Sequence, residues 1–596
     1  MPSQSLPGAQ NTDLVTTTIK INGTAISTQY QVASIVVQNE VNRIPSARLI
    51  LYDGDAAAQD FKVSNEATFV PGAEIEITAG YHSNETSIFS GIILKHSLKI
   101  RTQETPMLIL DCRDKAVKMT IARKNKYFYN STDSDAVSGI ISDYQLTASI
   151  DDTQTQLESI VQYDCTDWDF VLSRMEANGM VCVTSAGTIT AKKPNLGGST
   201  VLDAVFGATI LEFDADLDAR YQYGGITAKT WDQANQAIST ATANEPGYTE
   251  NGNVSYSDLS NVLSITDYDL NVGEEVTTNE LQNWADARLE KARLARCRGR
   301  VKFRGYAPLN PADLINLGGV GDRFNGTVFA SAIRHEIANG VWSTDVQFGL
   351  SNDLAIRQPE FNSPPAAEML PAVQGLQIGI VTKLESDPNS ENRIKVRLPI
   401  VDPNEDGIWM RIASLDAGNT RGMFFLPEIG DEVIVGFINN DPRHPVVLGM
   451  LNSSANPAPL TAADKNDEKG YTSRSGMTMI FNDSDKSLII TTPAGKKVTI
   501  DENAGVISIE DENNNKISMD SSSVSVVSGA DISIKATGDV SIEGVNVKVK
   551  ASSSFSLDAG GSSLDAGNGS ATLKSATVDV EGSAQTTIKG GMVMIN

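Results

Sequence analysis

MTMIFNDSDKSLIITTPAGKKVTIDENAGVISIEDENNNKISMDSSSVSVV, residues 477–527, is the stretch of sequence that decides the fold of this chain. Pairs of apolar residues, each flanking a single residue, recur in it every nine or ten positions, and turn-forming segments such as 482–485 and 501–505 separate them. Farther along, the interval shortens to about eight. The pairs are Met479/Phe481, Leu488/Ile490, Val498/Ile500, Ile507/Ile509, Ile517/Met519, Val524/Val526, Ile532/Ile534, Val540/Ile542, Val547/Val549, Phe555/Leu557 and, after a gap, Val578/Val580. Because side chains alternate between the faces of a strand, each pair predicts one short strand with one apolar face.

Such a strand offers only two apolar side chains, which cannot close a core within one chain. A single-chain left-handed β-helix has six residues per face, and that period is absent here. We therefore predict an intertwined β-helix of several copies around one axis, with apolar pairs inside and backbone groups paired between neighbouring copies. The alternative, a disordered Ser/Gly-rich tail, disagrees with the sustained V-x-V spacing.

Upstream of the repeat, a compact region at 371–455 contains five or six short apolar runs punctuated by Gly and Pro. The predicted strands are IGIVTKL (378–384), RIKVRLPIV (393–401), GIWMRIA (407–413), GMFFLP (422–427), EVIVGFI (432–438) and PVVLGML (445–451). So many short strands in so short a span predict a small barrel of the OB type. Four prolines in 358–373 predict a linker before it.

The first region, 1–370, mixes strands with a few helices, and 67–81 and 87–100 carry strand-like patterns. In TDWDFVLSRMEANG (166–179), Thr166 is a predicted N-cap and Gly179 a predicted stop, and Trp168, Val171, Leu172 and Met175 share one face. A second helix is predicted after the capping box of Thr277 and Glu280. Its apolar positions are Leu281, Trp284, Ala285, Leu289, Ala292 and Ala295. The whole chain is thus predicted to be mainly β with some α.

Composition argues against some classes of partner and indicates the compartment of synthesis. The formal net charge of −26 repels phosphate backbones and anionic lipid, which argues against nucleic acid as a partner, and membrane crossing would have to be mechanical. Cys112, Cys165, Cys182 and Cys297 are widely spaced and are interpreted as buried thiols of a reducing compartment. The N-terminal residues lack a signal-peptide pattern, and no apolar run is long enough to span a bilayer, so we expect synthesis in the cytoplasm.

Two short motifs resemble enzymatic signatures without completing them. His335-Glu336 opens like HExxH, but Asn339 stands where the second zinc ligand belongs. Gly318–Gly321 resembles a phosphate loop, but a turn rather than a helix follows it, so the dipole-assisted anion site is missing. We interpret the first as a strand and the second as a β-turn.

Acidic residues suggest no site either. Asp431 and Glu432, as neighbours in a strand, would point to opposite faces and could not act as an acid–base pair. The acidic loops 482–485, 501–503 and 511–515 lack calcium-loop spacing and are interpreted as turns. The sequence therefore predicts no catalytic, cofactor-binding or metal-binding residue, and no enzyme.

Several segments together resemble the VgrG-type spike proteins of contractile injection systems, including type VI secretion, extracellular injection particles and contractile phage tails. The resemblance spans essentially the whole chain. It rests on CTDWDFVLSRMEANG (165–179), RGRVKFRGYAPLNPADLINLGGVGDRFNG (298–326), ASAIRHEIANGVWSTDVQFG (330–349), NRIKVRLP (392–399), WMRI (409–412), FLPEIGDEVIVGF (425–437), DPRHPVVLGML (441–451) and SRSGMTMIFNDSDKSLIITT (473–492). Some phage spikes insert a lysozyme domain after the barrel, for which this chain has no room. Some hold iron through a His-x-His tip, whereas the needle of this chain contains no histidine.

The resemblance implies a homotrimer with a phage-hub-like domain (1–370), an OB-fold domain (371–455) and an intertwined trimeric β-helix needle (456–596). The hub would join inner tube and baseplate proteins. A PAAR-type tip protein would bind the last residues, which are Gly590, Gly591, Met592, Val593, Met594, Ile595 and Asn596; the alternative is that they complete the last layer of the needle. The spike would be assembled into a virion-like particle and penetrate a target envelope transiently, without stable insertion and without a cofactor.

The sequence pattern raises three functional hypotheses. The leading one is a structural spike, in which a type VI VgrG and the spike of a released particle stay open alternatives. A polysaccharide hydrolase on a β-helix would need aromatic platforms, yet Phe555 is the one aromatic residue of the repeat beyond Phe481. A trimeric adhesin would need a binding head at the far end.

Overall fold

The structure is a computed structural model that describes residues 14–247, 249–558, 565, 567 and 569–595. The N-terminal residues examined for a signal peptide, and Asn596 of the predicted tip, lie outside the described residues. The chain divides into two compact units, one ending at Met450 and the other beginning at Leu451. Among the helices that the structure describes, none combines the length and apolar character needed to cross a bilayer.

The first region is built on a large sheet with a small helical part. Its strands are β1 Val15–Ile21, β2 Thr24–Ala25, β3 Val32–Glu40, β4 Ser46–Tyr52, β5 Glu74–Tyr81, β6 Asn84–Lys99, β7 Met107–Arg113, β8 Arg123–Thr132, β9 Thr147–Ile150, β10 Gln156–Thr166, β11 Val181–Ser185, β12 Thr188–Lys192, β13 Leu202–Val205, β14 Glu212–Leu217, β15 Ile226–Asp232, β16 Ala237–Thr242, β17 Tyr268–Val272, β18 Cys297–Arg304, β19 Leu314–Gly318, β20 Gly326–Ala338 and β21 Val341–Phe348. The sheet order is β14-β18-β21-β20-β3-β4-β7-β6-β5-β1-β2, with β19 added beside β20 and β13 beside β19. The strand predicted at 67–81 is confirmed only from Glu74 to Tyr81, because Ala67–Phe69 forms a 3-10 turn, and the strand predicted at 87–100 is confirmed up to Lys99.

The helices are α1 Asp133–Asp143, α2 Asp167–Ala177, α3 Tyr256–Leu263 and α4 Thr278–Leu294. Oγ1 of Thr166 accepts the N–H of Asp169, and the four residues predicted to share a face of α2 are buried, so this prediction is confirmed. The capping box of Thr277 and Glu280 at the start of α4 is also confirmed. Both helices form where expected because their caps satisfy backbone N–H groups that the helix itself leaves unpaired.

The proline-rich stretch 358–373 is not the free linker that its composition predicts. It forms two short 3-10 turns, Pro359–Phe361 and Pro365–Glu368. Phe361 is buried and belongs to the core around α1 and α2, and Ala366 is fully buried. The prolines restrict the backbone of this stretch, but burial of the apolar Phe361 between them lowers the free energy of the folded chain. The stretch is therefore held against the core.

The predicted OB-type barrel is present and closed. Its strands are β22 Gln377–Lys383, β23 Ile394–Arg397, β24 Ile408–Ile412, β25 Ala417–Gly418, β26 Arg421–Gly422, β27 Glu432–Phe437 and β28 Pro445–Met450. Closure runs β22-β23-β24-β28-β27, and the core is formed by Val381, Ile394, Val396, Met410, Val433, Val435 and Val447. The predicted strand GMFFLP (422–427) is wrong: β25 and β26 form a small hairpin, and the residues after Gly422 run outside the barrel. Five strands already close the ring, so this apolar run has no strand to pair with.

The second unit contains an antiparallel meander of seven strands in sequence order. They are β29 Glu468–Thr472, β30 Thr478–Asn482, β31 Ser487–Thr491, β32 Lys497–Asp501, β33 Val506–Glu510, β34 Lys516–Met519 and β35 Val524–Val527. One strand per repeat is therefore confirmed up to Val527. The expectation that backbone groups pair between copies is wrong for this part, because each strand pairs with the next strand of the same chain. The intervening segments are tight turns, which favour pairing of neighbours in sequence.

The repeat changes character after Val527. Among the residues described beyond that point, none belongs to a strand, and no backbone–backbone hydrogen bond joins two of them. Their apolar pairs are strongly exposed in the single chain, for example Ile534 (76%) and Ile542 (73%). A β-helix of the needle is not formed by one copy alone.

Candidate assembly surfaces

One face of the β29–β35 sheet collects the apolar pairs of the repeat. The register places Met479 opposite Ile490, Ile490 opposite Val498, and Val498 opposite Ile509. The same register carries both members of each pair across the sheet in two parallel columns. The columns are Met479, Ile490, Val498, Ile509, Ile517 and Val526, and Phe481, Leu488, Ile500, Ile507, Met519 and Val524. We call these twelve residues the needle face.

The needle face is uncovered in the single chain. All its members except Leu488 and Val498 are exposed, from 38% for Ile490 to 71% for Val524. The residue between the members of each pair points to the opposite face, and there Ser508 is only 5% exposed. A row of aliphatic side chains in water costs about 25 cal/mol for each Å² that burial would remove, and contiguous apolar patches of this kind mark interfaces.

Charged residues form ion pairs at the ends of these strands. Glu510 of β33 lies between Lys497 of β32, at 3.9 Å, and Lys516 of β34, at 3.3 Å. Lys496 pairs with Glu512 at 2.7 Å. Exposed pairs of this kind contribute little stability, but they keep the strand ends soluble and leave the apolar columns as the surface available for association.

The acidic loops between the strands are turns, as predicted. Oδ1 of Asn482 accepts the N–H of Asp485, and Oδ1 of Asp501 accepts the N–H of Ala504. The side-chain amide of Asn515 donates to the Asp511 carboxylate and is the largest cause of its lowered pKa. Oδ1 of Asp511 also accepts the backbone N–H groups of Asn513 and Asn515, which lower the pKa further. The carboxylates of Asp501 and Asp511 are therefore engaged with the backbone of their own turns.

The predicted tip residues that the structure describes, Gly590 to Ile595, belong to no strand. Met592, Met594 and Ile595 are 81%, 80% and 85% exposed, and Val593 is 48% exposed. The structure thus presents an apolar terminus, whose binding of a tip protein stays a prediction.

His335 of the first region is a core residue. It lies in β20, is buried, and its Nδ1 is 3.0 Å from Oγ1 of Thr344. Burial alone lowers its pKa to about 4. Glu336, on the opposite face of the strand, pairs with Arg334 at 2.6 Å, and Asn339 lies in the turn after β20. The two residues of the incomplete HExxH motif therefore do not meet at one site.

The other sequence motifs have structural roles. Gly318 ends β19, and Gly319 and Gly321 have φ of 70° and 82° in the turn that follows, as predicted. Asp431 accepts the N–H of Glu428 ahead of β27.

Cys112, Cys182 and Cys297 are buried free thiols, as interpreted from the sequence, whereas Cys165 is only half-buried. Burial raises the pKa of Cys112 and of Cys182 to about 12.

Asp167 of the DWDF segment is the centre of a polar network that the sequence did not indicate. Its carboxylate accepts hydrogen bonds from Lys124 (2.6 Å), Tyr144 (2.5 Å) and Gln162 (2.8 Å). Burial opposes its ionisation, but these three bonds outweigh burial and lower the pKa of Asp167. The network ties the start of α2 to β8, α1 and β10, so it anchors the helical part of this region.

A cleft of 590 Å³ beside α4 was also not expected from the sequence. Glu290 lies in it, has no hydrogen-bond partner within the described residues, and burial raises its pKa to about 7. Lys291, its neighbour, is paired with Glu176. A single carboxyl beside an occupied lysine does not form a catalytic pair, and the pattern of α4 contains no signal that distinguishes Glu290 from other surface glutamates.

Family comparisons agree with this architecture. A family model described as the Type VI secretion system/phage-baseplate injector OB domain matches residues 377–451, the span of the β22–β28 barrel. A second model, described as the Alg8 N-terminal domain, matches residues 11–339.

Curated relatives match over short segments. The chain is similar to the type VI secretion system spike protein VgrG4b of Pseudomonas aeruginosa, with 32% identity over 123 residues, or 19% of this chain and 15% of the relative. It is also similar to VgrG5 of the same organism, with 36% identity over 104 residues, or 16% and 13% of the two chains. The chain thus spans about a seventh of the length of the curated relatives it matches.

Solved structures are similar at low identity. A tail protein from Neisseria meningitidis has a TM-score of 0.43 and 12% identity, covering 58% of this chain and 99% of that one. An E. coli component of the type VI secretion system has a TM-score of 0.37 and 12% identity, covering 73% and 99%.

The barrel matches the injector OB-domain family, and short segments of the chain are similar to spike proteins of the VgrG type. The chain belongs to the family of the Alg8 N-terminal domain, whose model covers more than half of its 596 residues.

Proposed function

We propose that three copies of this chain form the structural spike at the tip of a contractile injection system, joining inner tube and baseplate to a piercing needle. The observation that carries the proposal is the exposed needle face. Two apolar columns on one sheet face become a closed core when three sheets turn these faces toward a common axis. Contraction of a surrounding sheath would then supply the work, and the spike itself needs no cofactor or nucleotide.

Two features support three copies rather than a foreign partner. The needle face is built from the chain's own repeat, so identical faces from identical copies match in length and spacing. The segment beyond Val527 repeats the apolar pairing, and no backbone–backbone hydrogen bond joins two of its described residues in one copy. Buried backbone N–H and C=O groups in folded proteins are paired in the great majority of cases, and neighbouring copies would supply the partners.

In this role the chain carries out no catalysis. His335 is a buried core side chain and the acidic loops are engaged in turns, which supports a mechanical role. The spike would be made in the cytoplasm and assembled into a particle, either a type VI apparatus or a released one. The exposed Met592, Met594 and Ile595 would dock a PAAR-type tip protein, which fits the apolar terminus.

Native mass measurement of the full chain tests the proposal. We expect a species of three times 63.7 kDa. Ile509→Asp places a charge in the needle face and should abolish this species. Asn513→Asp introduces the same charge in the exposed turn after β33 and should leave the trimer intact. A monomer for the unmodified chain, or a trimer that survives Ile509→Asp unchanged, would contradict the proposal.

A further inference from the structure

The barrel carries an apolar projection at one end of β24. The loop between β23 and β24 exposes Ile400 (83%) and Val401 (77%), two aliphatic residues that follow Pro399. The N–H of Val401 donates to the carbonyl of Leu398 at 2.9 Å, so a defined turn presents them. We call Ile400 and Val401 the barrel knob.

An apolar depression lies at the other end of the same strand. It has a volume of 930 Å³ and is lined by Leu415, Met423, Phe424, Leu448 and Met450, among others. Leu415 is 93% exposed and Phe424 is 74% exposed. We call this depression the barrel groove.

The outer wall of the barrel groove is held in place by hydrogen bonds. Oγ of Ser414 donates to the carbonyls of Asp416 and Met423, both at 3.0 Å, and the N–H of Met423 donates to Asp416 at 2.9 Å. The groove is therefore a formed feature of the barrel, and the run GMFFLP that was expected to be a strand supplies part of it.

The topology separates the knob from the groove. β24 begins at Ile408, after the knob loop, and ends at Ile412, before the groove hairpin. β28 runs parallel to β24 and ends in Met450, which lines the groove. The two features thus lie at opposite ends of the strand direction, the arrangement required for a head-to-tail contact between identical units.

Charge supports the same pairing. Glu405 in the knob loop and Arg411 at the groove end of β24 are both exposed, and neither side chain has a hydrogen bond or ion pair within the described residues. The other arginine of the groove, Arg421, is already paired with Asp416 at 2.6 Å. A knob entering a groove would therefore bring an acidic loop toward an unpaired arginine.

We propose that the knob of each barrel enters the groove of the next copy, so that three barrels close into a ring. This inference rests on the trimer of the proposed function and specifies which barrel residues meet within it. A second copy is the occupant that covers both features at once, whereas a single foreign protein in the groove would leave the knob exposed. Head-to-tail contacts between identical copies form a closed ring when the rotations from one copy to the next add up to a full turn.

Disulfide trapping in the full-length chain tests the contact. A chain with both Val401→Cys and Phe424→Cys is oxidised and analysed by non-reducing gel electrophoresis, and its native mass is measured in parallel. We expect covalent dimers and trimers. The matched control pairs Val401→Cys with Ile438→Cys, which is 57% exposed and lies at the knob end, in the turn between β27 and β28; it should stay monomeric on the gel.

The outcomes separate the two proposals. A native trimer that yields only monomer bands overturns the ring contact and leaves the proposed function standing, whereas absence of the native trimer overturns both. Charge exchange gives a second readout: Glu405→Arg or Arg411→Glu alone should lower cross-linking several-fold, and the two together should restore it. Equal cross-linking in all of these variants would contradict the predicted charge contact.

Discussion

Val498 and Ile509 lie directly opposite each other in the antiparallel pair of β32 and β33, on the face that the single chain leaves uncovered. Their position ties the repeat of the sequence to the assembly of copies, because the residues that neighbour each other across the sheet also form the surface offered to other chains.

This pair allows a quantitative test of the needle face. Val498→Ala and Ile509→Ala should each lower the stability of the trimer by about 1 kcal/mol or more, and the double variant should deviate from additivity by at least 0.5 kcal/mol, roughly the range for residues in contact. Denaturant unfolding at fixed protein concentration measures both. Val498→Ala combined with Val524→Ala is the control, since β35 is three strands away and the effects should add.

The buried His335 predicts a stability that depends on pH. Its pKa in the folded chain is about 4, below the ordinary value of 6.5, so the unfolded chain binds the additional proton. Stability of the first region is therefore fully present above about pH 6.5 and falls by about 3 kcal/mol as the pH drops to 4. Thr344 already accepts the N–H of Tyr306 at 2.9 Å, so its hydroxyl can donate to Nδ1 of a neutral histidine, and protonation would remove that acceptor.

Urea unfolding of His335→Phe at pH 7 and pH 4.5 checks this sign. The variant should lose stability at pH 7, where the bond to Thr344 is missing, but should show a smaller difference between the two pH values than the unmodified chain. His444→Phe, at an exposed position, serves as the control and should keep the full difference. An unchanged difference in His335→Phe would mean that other groups cause the pH dependence.

Hydrogen exchange should distinguish the two parts of the repeat. Amides at 531–558 have no backbone partner in one copy, so we expect them to exchange rapidly in monomeric Ile509→Asp and to be protected 100-fold or more in the trimer, roughly as expected for amides paired between copies. Amides of β20 in the first region pair within the chain and should be protected in both samples. Fast exchange of 531–558 in the trimer would argue that this segment is not paired between copies.

The cap of α2 can be tested separately from assembly. Thr166→Ala removes the acceptor for the N–H of Asp169 and should cost the first region about 1 kcal/mol. Thr166→Ser keeps a hydroxyl oxygen and should restore most of that loss. Thermal unfolding of the two variants gives the comparison, and equal melting temperatures would show that the cap does not limit stability.

Oxidative footprinting can locate a tip partner. Met592 and Met594 are exposed in the single chain, so they should oxidise readily in the isolated protein and more slowly by several-fold in assembled particles that carry a tip protein. Met369, 65% exposed and far from the tip in sequence, is the internal control. Equal oxidation of the tip methionines in both samples would contradict a covered tip.

Local signals in the sequence predicted the elements that depend on neighbouring residues. Thr166 and Thr277 cap helices because a side-chain oxygen needs to reach only three residues along the chain. The alternation of Ile507 and Ile509 indicates a strand because the period of two is a property of the backbone.

Contacts between residues distant in sequence were harder to predict from local sequence patterns. Phe424 was expected in a strand, yet the barrel closes without it. Phe361 was expected in a linker, yet it enters a core formed by α1 and α2. In both cases the outcome depends on whether a remote partner is present, which the local pattern does not contain.

By itself, the sequence determined the repeat, its strand period and the need to cover an apolar face, since these follow from alternation along one backbone and from the low affinity of aliphatic groups for water. Only the tertiary structure decided that the strands from Glu468 to Val527 pair within one chain, that five strands close the barrel, and that knob and groove lie at opposite ends of β24. These depend on which distant segments meet, and that choice is made by packing of the whole molecule.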